Sequence, residues 1–183
     1  MWEQLTKSLD VRQPPGQALS KPTDATLDKF ESAHKFKLPP SYREFVKVFG
    51  PGEIGGYFRI YAPGYGKSGA DLGRFVKEIR ELEEVFRDRF RQKVRFIKRM
   101  VPFADTLGGD IIVWGPSEIT DPSSEYSIYM IFEDRDKIAE LARSFPAFVQ
   151  DVCLSDSFGT LVGDPNYKAL RQFIPFGTGT PGL

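Results

Sequence analysis

Three short apolar runs in the second half of the chain limit the folds open to it. They span residues 94–104, 110–114 and 126–132, and residues 105–109, which contain a Gly-Gly pair, join the first two. Strand-like runs joined so closely are typical of a β-hairpin. The runs therefore predict a mostly antiparallel sheet.

Helical patterns precede and follow these runs. They cover residues 24–36, 38–52, 71–92 and 134–154, the last broken near Pro146, and a short helix is predicted around 167–173. Thr23 or Asp24 is suited to cap the first helix, and Ser41 with Glu44 has the spacing of a capping box in the second. This order predicts an α+β fold, a mixed, mostly antiparallel sheet flanked by helices that we expect on one side.

A further strand is predicted after the glycine-rich end of the second helix, within residues 53–62. The alternation of side chains along a strand places Tyr57, Arg59 and Tyr61 on the face opposite Phe58 and Ile60. This expectation brings two tyrosines and an arginine onto one surface of the sheet.

The composition excludes several classes of protein. The 183 residues suit one domain, and 25 Lys and Arg balance 25 Asp and Glu, so we expect neither direct nucleic-acid binding nor membrane attraction. No segment reaches the roughly 20 apolar residues of a membrane span, and Glu3 and Lys7 interrupt any signal peptide. A single cysteine, Cys153, suits a reducing compartment. These features predict a cytoplasmic location.

The stretch 61-YAPGYGKSGADLGRF-75 resembles a phosphate-binding loop, because Gly-Lys-Ser lies between a strand and a helix. The motif requires a glycine at position 61, where this chain has tyrosine, and Pro63 has no N–H to offer a phosphate. We therefore interpret the loop as a binding loop, with Tyr61, Tyr65 and Lys67 as candidate contacts. A small nucleotide-binding enzyme using Lys67 is the least favoured function.

Other reactive residues give little support for catalysis. His34, the only histidine, forms Glu-x-x-His with Glu31, but a carboxylate-bridged metal site needs a second such motif. Cys153 follows an apolar helical stretch and is predicted to be a buried structural thiol. We expect no catalytic residue, no metal and no cofactor.

Two groups of charged residues are candidates for partner contact. Residues 87–99 hold seven Lys or Arg against one Asp, and acidic turns precede them, an order that suits the helix dipole and favours a solvated helix end over a nucleic-acid patch. The acidic candidates are Asp105 and Asp110, which flank the Gly-Gly turn, and Glu133 and Asp134. The basic segment would suit an acidic partner and the acidic group a basic, nucleic-acid-cleaving toxin. The sequence leaves both open.

Two stretches together resemble a known family. They are 38-LPPSYREFVKVFGPGEIGG-56 and 102-PFADTLGGDIIVW-114, the latter followed by 126-YSIYMIFED-134 and 144-SFPAFVQDV-152. Their order resembles the SUKH superfamily, named partly after fungal regulators of cell-wall assembly, whose bacterial members are largely toxin-immunity proteins. The resemblance implies a mixed sheet wrapped by helices and a non-catalytic protein that binds a protein partner. It predicts a SUKH-like domain over residues 23–154, with a lead-in at 1–22 and an extension at 155–183.

The leading hypothesis is an immunity protein that neutralises a secreted or contact-dependent toxin, with a nuclease as one candidate. The alternative is a regulatory or scaffold module of the same fold. Aromatic and arginine side chains dominate binding hot spots, and we predict exposed aromatic anchors within a polar rim. The predicted partner-binding residues are Tyr57, Tyr61, Tyr65, Lys67, Asp105, Asp110, Trp114, Glu133 and Asp134.

Overall fold

The chain is described by a computed structural model that covers residues 1–13, 21–66, 69–115 and 125–177. Its strands are β1 (Asp10–Val11), β2 (Gly52–Ile54), β3 (Phe58–Ile60), β4 (Val101–Thr106), β5 (Ile111–Gly115), β6 (Ser127–Ile131), β7 (Ile138–Ala142) and β8 (Gln172–Pro175). They form one sheet of order β1-β8-β2-β3-β4-β5-β6-β7, in which only the β1–β8 pair is parallel. The predicted α+β class with a mixed, mostly antiparallel sheet is confirmed.

Helices account for most of the remaining described residues. They are α1 (Trp2–Ser8), α2 (Asp24–His34), α3 (Pro40–Phe49), α4 (Leu72–Glu81), α5 (Glu83–Arg89), α6 (Val94–Arg99), α7 (Phe145–Ala147) and α8 (Ser157–Val162), with a 3₁₀ turn at Arg91–Lys93 and a π-helix at Phe148–Cys153. Thr23 caps α2 as predicted, because its hydroxyl accepts a hydrogen bond from the Thr26 N–H.

The start of α3 is capped from a distant part of the chain. The predicted capping box is wrong, since the Ser41 hydroxyl has no hydrogen-bond partner within the described residues. Glu125, just before β6, instead accepts hydrogen bonds from the N–H of Ser41 (3.2 Å) and of Phe145 (3.0 Å). One carboxylate therefore pairs backbone N–H groups that have no partner within their own helix, at the starts of both α3 and α7.

Helices pack on both faces of the sheet, where the sequence led us to expect one. On one face Phe103 of β4 contacts Tyr42 of α3 and Phe148 of the π-helix. On the other face Tyr61 stacks on Phe75 of α4, with ring centroids 4.2 Å apart. Because both faces are covered, all six residues of β4 are buried.

Three predicted elements need correction. The helix expected over 71–92 breaks at Leu82 into α4 and α5, and residues 94–99 form α6 rather than the start of a strand. Short runs rich in Val, Phe and Ile are ambiguous between helix and strand. Residues 138–142 form β7 and not a helix, because pairing with β6 overrides the helical propensity of Ala, Glu and Leu.

Both ends of the described chain belong to the same core. β8 lies between β1 and β2, and its Phe173 is fully buried, so the helix predicted around 167–173 is wrong. At the other end Trp2 packs edge-on against Phe45 and Phe145. The boundaries at residues 23 and 154 stay a prediction, but the described segments beyond them are packed against the central unit.

Candidate functional site

A groove opens between the α4–α5 helices and the sheet face that they cover. Its volume is about 370 Å³. Apolar side chains make up most of its lining, together with three charged ones and a glycine: Phe75, Ile79, Leu82, Val85, Phe86, Ile111, Ile131, Phe132, Arg89, Asp105, Glu133 and Gly109. Two of the predicted site residues, Asp105 and Glu133, therefore line one concave surface.

The floor of the groove is a row of residues that crosses neighbouring strands. Asp105 of β4 pairs with Ile111 of β5, which pairs with Ile131 of β6. Directly opposed residues of a sheet point to the same face. Antiparallel pairing thus brings a carboxylate and two isoleucines under the helices.

The α4 and α5 helices form one side of the groove, the helical wall, and this wall exposes two large apolar side chains. Phe75, Ile79 and Phe86 are buried, whereas Leu82 is 44% exposed and Val85 is 60% exposed. Leu82 lies at the break between α4 and α5, where the backbone leaves helical geometry. Residues on both sides of this break line the groove, Ile79 before it and Val85 and Phe86 after it.

Two arginines of this wall donate hydrogen bonds to backbone carbonyl oxygens elsewhere in the chain. Arg80 of α4 donates to the carbonyl oxygen of Met100 (2.6 Å), and Arg89 of α5 donates to that of Glu133 (3.0 Å). Arg89 also donates to Asp136 Oδ1 at 2.7 Å. These contacts anchor the wall near its middle, at the end of α4, and at its C-terminal end in α5.

A buried ion pair lies at the groove's inner end. Arg59 of β3 donates to both carboxylate oxygens of Asp105, and the Tyr61 hydroxyl donates to Asp105 Oδ2 at 3.0 Å. The side chains of Arg59 and Asp105 are only 16% and 12% exposed. Arg59 and Tyr61 lie on one face of the strand, as the sequence predicted.

Burial controls the protonation of this cluster. It raises the pKa of Asp105, although the hydrogen bonds and charge of Arg59 act to lower it. Burial alone would lower the pKa of Arg59, but Asp105 outweighs it and the net shift is upward. The raised pKa of Asp105 favours its neutral form, whereas the raised pKa of Arg59 favours its charged form. Because guanidinium keeps its proton throughout the accessible range, the Asp105 shift decides how the pair responds to pH.

The hairpin turn between β4 and β5 is tied to the next turn along the sheet. Asp110 Oδ2 accepts a hydrogen bond from the Thr106 hydroxyl (2.9 Å), and Asp110 Oδ1 accepts one from the Glu133 N–H (3.1 Å). Asp110 is itself 7% exposed. The expectation that this turn lies at a sheet edge is wrong, because β4 and β5 are internal strands. The turn lies at the end of these two strands, where Asp110 binds the Glu133 N–H and does not face solvent.

The family comparison gives a match. A model of the SMI1 / KNR4 family (SUKH-1) matches residues 21–151, more than half of the 183 residues. The chain belongs to the SUKH-1 family. Comparisons with curated proteins and with solved structures gave no match.

The groove of this SUKH-1 chain joins residues that the sequence placed far apart. Asp105 and Glu133 line it, Tyr61 and Asp110 hold those two in place, and Asp134 is exposed next to Glu133. The carboxylate of Asp134 is paired with Arg135 at 2.9 Å. Five of the nine predicted residues therefore lie in or beside one site.

Trp114 is not a surface anchor in this SUKH-1 fold. It is fully buried and stacks on Phe103 with ring centroids 4.1 Å apart, with Tyr42 edge-on at 4.9 Å. The expectation of an exposed Trp114 is wrong, because this residue near the end of β5 is covered by Tyr42 of α3. Tyr57 is half-buried in the β2–β3 turn and contacts Phe158 and Tyr167.

In the glycine loop of this SUKH-1 chain, backbone N–H groups of residues 64–66 bind the carboxylate of Asp71. Asp71 Oδ2 accepts hydrogen bonds from the N–H groups of Gly64 (3.1 Å), Tyr65 (2.9 Å) and Gly66 (3.2 Å), and Oδ1 accepts one from the backbone N–H of Arg74 (2.9 Å). A carboxylate thus occupies the place that a phosphate would take in a phosphate-binding loop. Tyr65 is 8% exposed, and burial raises its pKa to about 12. Lys67 lies outside the described residues.

The other reactive side chains of this SUKH-1 chain have structural surroundings. Cys153 is fully buried, and burial raises the pKa of its thiol, as expected of a structural cysteine. His34 stacks on Phe30 at 4.3 Å, and burial lowers its pKa. Within the described residues no group of three or more His, Cys, Asp or Glu side chains could hold a metal ion, and no helix is long and apolar enough to span a membrane.

Sequence reasoning missed the exposed part of the helical wall. Leu82 and Phe86 fall on the apolar stripe of the helix predicted over 71–92, and such a stripe indicates a buried face. Val85 lies off that stripe, among charged residues, and is 60% exposed. An apolar residue on the charged side of an amphipathic helix is the signal that could have indicated this surface.

Proposed function

We propose that this chain is a non-catalytic protein-binding domain of the cytoplasm that neutralises a cognate toxin. The toxin would bind in the groove between the α4–α5 helices and the sheet of this chain. Membership of the SUKH-1 family supports a protein partner. The concave shape and the largely apolar lining of the groove support this part of the surface as the place where the partner binds.

The single observation that carries the proposal is the exposure of Leu82 and Val85 at the mouth of this groove. Isolated apolar side chains on a surface are ordinary, but here two of them border a depression lined by further apolar groups. A partner side chain that packs against them would remove apolar surface from water, which is favourable by roughly 25 cal/mol per Å² buried before the entropic costs of association.

The charged residues around the groove suit the rim of an interface. Glu133 is exposed, while Arg89 and Asp105 already have partners inside the molecule. A polar rim that excludes water from an apolar centre is the usual arrangement of a binding hot spot. The partner would therefore contact Leu82 and Val85 at the centre and Glu133 at the edge.

A test is co-expression with the product of the neighbouring gene. If the proposal holds, that product arrests growth when expressed alone, the chain restores growth, and the two proteins elute as a one-to-one complex whose mass light scattering measures. If the neighbour is harmless but still forms the complex, the chain is a regulatory or scaffold module. If no complex forms and growth is not restored, the proposal fails.

A further inference from the structure

The basic segment of residues 87–99 forms an unpaired cationic surface beside the groove. Six of its seven cations are exposed and have no ion pair or side-chain hydrogen bond within the described residues: Arg87, Arg91, Lys93, Arg95, Lys98 and Arg99. Only Arg89 is paired, with Asp136. Neighbouring acidic side chains of the described residues therefore do not neutralise the positive charge of this segment, apart from that of Arg89.

Three of the four acidic candidates, in contrast, already have partners inside the molecule. Asp105 is paired with Arg59, Asp110 accepts hydrogen bonds from Thr106 and Glu133, and Asp134 is paired with Arg135. Asp105 and Asp110 are also almost fully buried. Among the four, only Glu133 is exposed with its carboxylate unpaired within the described residues. The helices themselves add three exposed acids without an ion pair within the described residues, Glu81, Glu84 and Asp88. With Glu133 they are fewer than the six unpaired cations of residues 87–99, so the unpaired charge on this side of the molecule is mainly positive.

The cationic surface is continuous with the groove. A second recess of about 440 Å³ is lined by Asp88, Arg89, Phe90, Arg91, Gln92, Lys93, Asp136, Lys137 and Ile138. Arg89 lines both this recess and the groove. The two acids of the recess include Asp136, which Arg89 neutralises, so the exposed cations Arg91, Lys93 and Lys137 leave it net positive.

We infer that the partner presents an acidic amphipathic segment, whose apolar side chains enter the groove at Leu82 and Val85 and whose carboxylates face the cations of residues 87–99. The inference adds to the proposed function the chemistry of the partner's contact surface. It rests on the proposed function in one respect, namely that the partner is a protein. It favours an acidic contact surface over the basic surface of a nuclease.

A protein fits this surface better than a nucleic acid does. Sequence-tolerant binding of single strands uses exposed aromatic rings on which bases stack. Phe86 and Phe90 are 7% and 8% exposed, and the half-buried Phe96 packs edge-on against Tyr129. The exposed hydrophobic side chains beside the cations are the aliphatic Leu82 and Val85, which complement apolar side chains of a protein.

The test uses a synthetic helical peptide of about 16 residues with Leu at i, i+3, i+4 and i+7 positions and Glu elsewhere. Fluorescence anisotropy measures its binding to the full chain. Two further probes are the same peptide with Lys in place of Glu, and a single-stranded DNA of equal charge. We expect binding of the Glu peptide only, weakened at least about tenfold between about 50 mM and about 300 mM NaCl.

A triple variant, Arg91→Glu/Lys93→Glu/Arg95→Glu, locates the contact. We expect it to weaken Glu-peptide binding at least about tenfold. The matched control, Lys7→Glu/Lys21→Glu/Lys29→Glu, makes the same charge change at exposed lysines away from the groove, and we expect less than about twofold. Amide NMR shifts of the wild-type chain give a readout that needs no variant, with changes expected at residues 82–99.

The inference is overturned if the Glu peptide does not bind, if both triple variants bind it equally, or if the amide shifts lie elsewhere. Binding of the DNA alone would overturn it in favour of a nucleic-acid surface. None of these results depends on the neighbouring gene, so failure of growth rescue and failure of the inference are separately visible.

Discussion

Arg59 donates two hydrogen bonds to Asp105, Nε to Oδ1 and Nη2 to Oδ2, each 2.7 Å long. Removing one partner of such a buried pair leaves the other charge uncompensated, which costs about 3–5 kcal/mol. We expect Asp105→Asn to lower the free energy of unfolding by about 3 kcal/mol, as measured by urea denaturation.

The control for this prediction is an exposed ion pair. Arg74 and Glu78 of α4 form an i,i+4 pair with side chains 45% and 51% exposed, and we expect Glu78→Gln to cost less than about 0.5 kcal/mol. The double change Arg59→Leu/Asp105→Leu should recover most of the loss, because it leaves no buried charge. Equal costs for Asp105→Asn and Glu78→Gln would contradict the role given to the buried pair.

Asp71 should be the residue that holds the glycine loop in place. Asp71→Ala removes the acceptor of three loop N–H groups and the cap of α4, and we expect a loss of about 2 kcal/mol in the free energy of unfolding. Hydrogen exchange at the amides of Gly64, Tyr65 and Gly66 should accelerate. Unchanged exchange there would show that the loop is held by other contacts.

Glu31 should make stability fall in acid. Burial would raise its pKa, but hydrogen bonds from Lys37, from Arg43 and from the Leu38 N–H outweigh burial, and the pKa is lowered from 4.5. A lowered pKa gives stability that is fully present above the unfolded value and is lost as pH falls through the folded value.

We therefore expect Glu31→Gln to destabilise the chain by about 1–2 kcal/mol at pH 7, and to do so less and less as pH falls below 4.5. Urea denaturation at a series of pH values measures the difference between wild type and variant, which removes the contributions of other groups. Glu44→Gln, at an exposed carboxylate, is the control. A difference that is constant with pH would refute this assignment.

Elements formed by local interactions could be predicted from the sequence, whereas elements that depend on distant parts of the chain could not. The second helix was correct because Tyr42, Phe45, Val46 and Phe49 form one apolar face and Gly50 ends it, which are local signals. β7 was missed because Ala, Glu and Leu favour a helix and only pairing with β6 makes residues 138–142 a strand. β8 depends on partners more than a hundred residues away in sequence.

The candidate site divides in the same way. The Asp105–Asp110 turn was found because a Gly-Gly-Asp turn between strands is readable locally. The helical wall of the groove was not found, since only the tertiary packing of α4 and α5 brings Phe75 and Val85 into one groove with Asp105. Trp114 was misjudged because aromatic residues suit both cores and binding surfaces, and burial decides which.

Replacing the exposed apolar pair should separate binding from folding. Leu82 and Val85 contribute little to the core, so we expect Leu82→Ser/Val85→Ser to change the free energy of unfolding by less than about 1 kcal/mol. Serine is neutral and adds no charge that would confuse the readout near the basic segment. Loss of the folded state, seen by circular dichroism, would contradict the placement of these side chains at the surface.

Growth rescue is the measurement that tests the central claim most directly. Cells that express the neighbouring gene's product should survive with the wild-type chain and with Leu170→Ser, which changes a half-exposed leucine outside the groove. Leu82→Ser/Val85→Ser should bind the product at least about tenfold more weakly and fail to rescue. Rescue by that variant as complete as by the wild type, or no rescue by the wild type, would contradict a toxin-neutralising role for the groove.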